Sequence, residues 1–505
     1  MNLLENKTQR FHSLRVPLAN RVDYCLYTIR GNMSWIGVIW FILFVSSAVS
    51  LVLDLLSLID GSVWYRVGYV TTFLLSCLLK LVDTAKNYED RFTHQEPIAD
   101  FYKDVAPPDK DWEALDLDMG GGKTERVFRC KDIDRWLQGP ERIGLERNTD
   151  AEAVLRNFIR EHEAWHEVFA PFLRDMHRRA VYTGKQFYNE KKYGISAELK
   201  PGQPVQVHKT CYFDSYLTNI SPGHRVLRNR DNAVLAQIPD VNRWREWLPY
   251  EEEEGENGRC RRRLKPLGKY TMANEPGVTT LCILEAGYII LWTQNRLALC
   301  SSGQLVASGS GSANWEDCKD CFGDPDGLRT AVISGMNREL WEESVGKRGV
   351  SYREFCACLD TRITGYFRWL TKGGKSEFVG VSRLGGNKKG KPMAENLVPE
   401  ESEVLNGEKI PAGNMWKLQE ALTHRLDKIR IRAEAPQAQF GTRENTYSVS
   451  CTMAMLALQE VCRGYCTEKC KQSCKKRAAT AAPSRSCSKE EAARKSKKNK
   501  RLQNV

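Results

Sequence analysis

Met336-Asn337-Arg338-Glu339-Leu340-Trp341-Glu342-Glu343-Ser344 is the stretch on which the reading of this chain turns. Residues three and four apart on a helix share a face. A helix here therefore gathers Glu339, Glu342 and Glu343, while Leu340 and Trp341 point elsewhere and pack. Three carboxylates on one face repel one another unless positive charge sits among them. A hard divalent cation such as Mg²⁺, which takes oxygen ligands and shares phosphates, is the natural partner. A solvated acidic helix face is the plainer alternative, and the surrounding chain decides between the two.

Upstream, Val278–Leu284 and Tyr288–Thr293 are apolar, strand-like runs joined by a turn at Ala286-Gly287. A short strand around Gln304–Ala307 leads into the small-residue run Ser308–Ser312. Gly323–Gly327 forms a loop, and Leu328–Ser344 the predicted helix. Tyr352–Leu359, Ile363–Leu370 and Phe378–Val381 read as further strands. Met415–Leu426 and Ser448–Val461 read as helices that close the sheet.

Arg-Glu-Leu-x-Glu-Glu in this setting resembles the core of the Nudix box, the loop-helix-loop signature of Nudix hydrolases. The resemblance covers roughly Gly277 to Val461. It implies an α+β fold, with a Nudix-like mixed sheet between helices. It also implies that Glu339, Glu342 and Glu343 bind Mg²⁺ and that Arg338 orients them by ion pairing. In the family the cation polarises a diphosphate and activates water, which makes Arg338, Glu342 and Glu343 the catalytic candidates. The chain departs from the family at Thr330, where a Glu is expected, and at Val345, where a Gly is expected. Asp324 stands at the position of the leading Gly. The carboxylate cluster is intact, and the loops around it are altered.

The rest of the chain is long. Its 505 residues suggest two or three units, and an apolar fraction of 42% suits a globular core. The net charge of +12 is concentrated at the C-terminus: from Lys475 onward, eleven Lys and Arg stand against Glu490 and Glu491. The 17 cysteines are scattered, as expected of reduced thiols. Residues 35–82 hold two apolar runs, Trp35–Leu53 and Trp64–Val82, separated by Asp60-Gly61-Ser62. Their length predicts an N-terminal transmembrane helical hairpin. The Lys and Arg on either side of it place residues 1–34 and everything after Val82 in the cytoplasm. Asp54 then lies in or at the edge of the bilayer.

Residues 83–149 read as a linker, polar from Asn87 to Gly122. Gly120-Gly121-Gly122-Lys123-Thr124 lacks the spacing and preceding strand of a P-loop. Residues 150–276 read as helical and then strand-rich, flanking or forming part of the Nudix-like domain at 277–461. His162-Glu163-x-x-His166 fits the HExxH form, but an amphipathic helix with exposed histidines is the simpler reading. Glu251–Glu254 and Arg261–Arg263 read as an exposed, charge-segregated loop. Cys318-x-x-Cys321 is half of a zinc pattern without a second half, and Cys356 and Cys358 fall on an expected strand. Residues 462–505 carry Cys462, Cys466, Cys470 and Cys474 at intervals of four, then a basic tail of disordered composition.

A membrane hairpin ahead of a Nudix-like domain resembles the transmembrane-Nudix effectors of bacterial CBASS antiphage systems. That resemblance implies three partners: a lipid bilayer to be disrupted, a nucleotide second messenger such as a cyclic oligonucleotide, and further copies of the chain in a homo-oligomer. The competing expectation is a tethered Mg²⁺-dependent hydrolase of nucleoside diphosphate-linked compounds.

Overall fold

The computed structural model describes residues 18–27, 44–53, 67–77 (without 69), 93–98, 100–119, 124–161, 169–183, 187–238, 247–254, 260–294, 303–344, 350–385, 404–434 and 447–480. In chain order the strands are β1 (Thr93–Pro97), β2 (Val105–Ala106), β3 (Glu113–Asp118), β4 (Thr124–Arg129), β5 (Leu145–Arg147), β6 (Lys191–Ile195), β7 (Val205–Cys211), β8 (His224–Arg228), β9 (Val234–Ile238), β10 (Tyr250–Glu254), β11 (Cys260–Leu264), β12 (Gly277–Leu284), β13 (Tyr288–Gln294), β14 (Leu305–Val306), β15 (Gly309–Ser312), β16 (Leu359–Trp369), β17 (Lys375–Leu384) and β18 (Val404–Pro411). The longer helices are α1 (Lys131–Gln138), α2 (Thr149–Glu161), α3 (Ala170–Thr183), α4 (Gly327–Ser344), α5 (Met415–Glu434) and α6 (Val449–Thr480).

The main sheet has nine strands, in the order β14-β13-β12-β17-β16-β4-β3, with β15 on β12 and β18 on β13. β12 and β17 run parallel and their neighbours antiparallel, so the sheet is mixed. Side chains of a strand alternate between faces, and β12 sorts its residues accordingly. Val278 joins the core beneath α4, with Leu328, Val332 and Met336. Leu281 packs on the opposite face, among Leu418, Leu422, Met453, Met455 and Leu458 of α5 and α6. The expected mixed sheet between helices is therefore present, with the acidic helix on one face and two closing helices on the other.

The N-terminal hairpin is a correction. Residues 44–53 and 70–77 are helical, and Phe44 stacks on Phe73 at 5.7 Å. No helix among the described residues is long and apolar enough to cross a membrane. A crossing helix needs about 20 continuous apolar residues, and the described helical residues do not supply them. Asp54 and the expected turn at Asp60-Gly61-Ser62 lie outside the described residues.

Three local expectations also change. The stretch read as a linker supplies β1, β2 and β3, and the β3–β4 hairpin extends the main sheet beyond β16. The acidic and basic runs form a second hairpin rather than a loop: Glu251 faces Arg263, Glu252 faces Arg262 and Glu253 faces Arg261. Opposite charges across a ladder neutralise what looks segregated along the chain. Cys356 closes a short helix, Tyr352–Cys356, where a strand was expected, because Ser351 and Glu354 form a capping box.

Residues 18–27 form a helix that docks on the segment before β6. The Asn20 side chain accepts from the Phe187 N–H at 3.0 Å, and the Tyr27 hydroxyl donates to Asp214 at 2.8 Å. His162, His166, Gly120–Lys123 and the tail from 481 lie outside the described residues, as do the side chains of Cys470 and Cys474. Cys462 and Cys466 are buried, and Cys462 belongs to the core under α6.

Candidate functional site

α4 carries the acidic cluster, and the sheet edge explains how it fits. β15 is Gly309-Ser310-Gly311-Ser312, and it lies directly against the C-terminal half of α4. A Cβ on Gly309 would stand 2.6 Å from the Leu340 backbone, and one on Gly311 would stand 2.3 Å from the Glu339 carboxylate. Glycine is the residue that permits this approach, so the helix and its carboxylates sit flush on the strand. The Glu343 carboxylate turns into the same seam and accepts from the Ser310 N–H at 3.1 Å.

Arg338 is the hub. Its guanidinium lies 2.9 Å from Glu339 and 3.0 Å from Glu342. It also reaches Asp317 at 3.1 Å and donates to the Ser312 carbonyl at 2.9 Å. The expected orienting arginine is thus in contact with two of the three expected metal carboxylates, and Glu343 is held separately by β15. Asp317 is a residue that the sequence reading missed. It sits in the turn Trp315–Cys318, where Asn314 and Asp317 form a capping box. That Asn-x-x-Asp spacing is the signal by which the turn was legible.

Two further residues enter from well upstream. The Lys192 ammonium on β6 lies 2.6 Å from Glu190 and 2.5 Å from the Asn314 side-chain oxygen. Its positive charge also favours ionisation of Glu339.

The electrostatics are those of crowded, partly dried carboxylates. Burial pushes Glu339 above the usual carboxylate range, against the opposing pull of Arg338 and Lys192. Burial, with Glu339 and Glu190 repelling it, pushes Glu342 up to about 7, although Arg338 pulls the other way. Burial alone would lower Arg338, but its acidic neighbours outweigh that and hold its proton firmly. Glu190 is held below its ordinary value: burial raises it, and Lys192 and Arg338 more than compensate.

The donor set suits a hard divalent cation. The oxygens are carboxylates, and burial together with the repulsion from Glu339 raises the proton affinity of Glu342. Among the described residues, however, no three acidic, His or Cys side chains already stand in ligand geometry. Arg338 holds Glu339 and Glu342, and the Ser310 N–H holds Glu343. Thr330, at the position where a Glu is expected, instead hydrogen-bonds to Asp324 and to the Asp326 carbonyl, both at 3.2 Å. It pins the start of α4. Cys318 and Cys321 are buried thiols that bond to the Trp315 and Asp317 carbonyls.

Comparison with known proteins adds little. No family model matches the chain, and no curated protein matches it. Among solved structures it is similar to the crystal structure of DR0079 from Deinococcus radiodurans, with 15% identity across 45% of this chain and 93% of that one. The TM-score is 0.21, and at that level the likeness carries no argument.

Proposed function

We propose that this chain acts on a nucleoside diphosphate-linked compound at α4 in the manner of a Nudix hydrolase, with a divalent cation. The observation that carries the reading is the cluster of Arg338, Glu339 and Glu342 on a helix laid against a glycine strand of a mixed sheet. Glu339, Glu342 and Glu343 are the residues that would hold Mg²⁺. When bound, the cation supplies charge for the diphosphate oxygens and a more acidic water.

The chain's own groups have definable tasks. Arg338 fixes Glu339 and Glu342 and is itself anchored by Asp317 and the Ser312 carbonyl. Glu342, about 45% exposed beside Arg338, is placed to take a proton from water. In hydrolysis the water oxygen bonds to phosphorus, the bridging P–O bond breaks, and Glu342 accepts the proton.

Thr330 favours a second reading, in which the same site binds a nucleotide second messenger and does not turn it over. One residue of the expected acidic set is used here for helix capping instead. Incubating the full chain with Mg²⁺ and a panel of ADP-ribose, NADH, diadenosine tetraphosphate and cyclic oligonucleotides separates the two. Products seen with wild type and lost in Glu342→Gln support the hydrolase. Calorimetric binding without products supports the receptor, and neither binding nor products would sink both.

A further inference from the structure

We propose that Lys192 is a positioning residue of this site, so that the carboxylate cluster is assembled jointly by β6 and α4; the proposal rests on the Nudix-type reading above. Lys192 stands 146 positions before Arg338 in the chain, outside the segment that resembles a Nudix domain. Its side chain is only 6% exposed. Burying an ammonium is costly unless it is paired and hydrogen-bonded. Here the pairing is directed at the site: Glu190 on one side, the Asn314 oxygen on another, and the charge of Glu339 nearby.

Position matters as much as charge. Asn314 caps the turn that presents Asp317, and Asp317 anchors Arg338. A backbone bridge also joins Lys192 to Asn314. Lys192 therefore tethers, through Asn314 and Asp317, the arginine that aligns Glu339 and Glu342. At the same time it adds to the positive charge that Arg338 supplies to Glu339 and Glu190. These two roles have opposite consequences for an added cation, which gives the proposal a distinctive signature.

The test uses the full chain and two substitutions, Lys192→Met and Lys192→Arg. Mn²⁺ binding is followed by electron paramagnetic resonance, turnover by release of products from the best substrate of the panel, and the folded fraction by circular dichroism. In Lys192→Met, kcat falls about tenfold, because the side-chain bond that steadies Asn314, and through it Asp317 and Arg338, is lost. Mn²⁺ binds several-fold more tightly, because a positive charge beside the carboxylates is gone. Lys192→Arg restores kcat to within about threefold, since it keeps the charge and a donor. A Lys192→Met protein equal to wild type overturns the proposal. So does one that loses turnover and Mn²⁺ affinity together in step with its folded fraction, as a purely structural role requires. Wild type that neither binds Mn²⁺ nor forms products overturns the Nudix-type reading itself, and the role of Lys192 with it.

Discussion

Gly311 lies so close to Glu339 that a methyl group on its Cα would stand 2.3 Å from the carboxylate. Two residues earlier, a methyl group on Gly309 would meet the Leu340 backbone at 2.6 Å. The first obstacle is the end of a flexible side chain, and the second is the helix itself. Gly309→Ala should therefore destabilise the fold by about 1–3 kcal/mol, as overpacking does. Gly311→Ala should cost less stability and more function, by pushing Glu339 out of reach of Arg338. Urea unfolding beside cation binding and turnover distinguishes them; equal loss of stability in the two variants would contradict this account.

Asp317 anchors Arg338 without belonging to the acidic motif. Asp317→Ala leaves the guanidinium with Glu339, Glu342 and the Ser312 carbonyl, free to swing toward solvent. The expected result is a fall in kcat of about tenfold to a hundredfold, as for loss of an aligning contact. Because Asp317 also caps its turn, a stability loss of about 1 kcal/mol should accompany it. Steady-state kinetics on protein shown to be folded is the measurement, and unchanged kcat refutes the anchor.

His208 gives a pH prediction with a definite sign. It is 2% exposed, and burial lowers its proton affinity from the ordinary 6.5 to about 4. Between those values the unfolded chain holds a proton that the folded chain does not, so stability falls as pH drops from about 6.5 toward 4. His208→Leu removes this term. Relative to wild type, the variant should gain about 2 kcal/mol at pH 5 compared with pH 8. Thermal or denaturant unfolding at the two pH values tests it, and a difference that does not change with pH rules it out.

Arg368 tests the junction between the main sheet and the region before it. Its side chain is fully buried and donates to Glu198 at 2.7 Å, to the Lys265 carbonyl at 3.0 Å and to the Gly374 carbonyl at 2.9 Å. Arg368→Ala strands a carboxylate and two carbonyls, and should cost about 3–5 kcal/mol. Arg368→Met combined with Glu198→Gln removes both charges and should be markedly less damaging than Arg368→Ala. Denaturant midpoints for the three proteins decide the matter; a double variant as unstable as Arg368→Ala would exclude an ionic origin.

The parts legible in the sequence are those whose signal is local. α4 follows from a turn-rich Gly-Asp-Pro-Asp-Gly loop and helical spacing. β12 and β13 follow from dense apolar runs around a glycine turn. β3 was missed because Glu113–Asp118 is half polar and its pairing partner is Thr124–Arg129, which looks equally unpromising alone. The Glu251–Arg263 hairpin was hidden because neutralisation happens across strands and not along the chain. The triad of glutamates was visible in the motif, but its surroundings were not. Asp317 comes from one segment and Glu190 and Lys192 from another far upstream, and only tertiary packing brings them to Arg338. The apolar runs near the N-terminus predict more than the described residues show, because hydropathy reports composition and not helix length.

The β3–β4 hairpin carries a consequence for the nascent chain. Phe128 on β4 lies opposite Arg368 on β16, a separation of 240 positions. Ribosomes add about 5–20 residues per second, so the hairpin waits roughly 10–50 s for the strand that receives it. During that interval Val127 and Phe128, both fully buried in the finished fold, have no sheet to enter. The outer margin of this sheet is thus made first and seated last, and shielding that early hairpin becomes a task for whatever meets the polypeptide as it emerges.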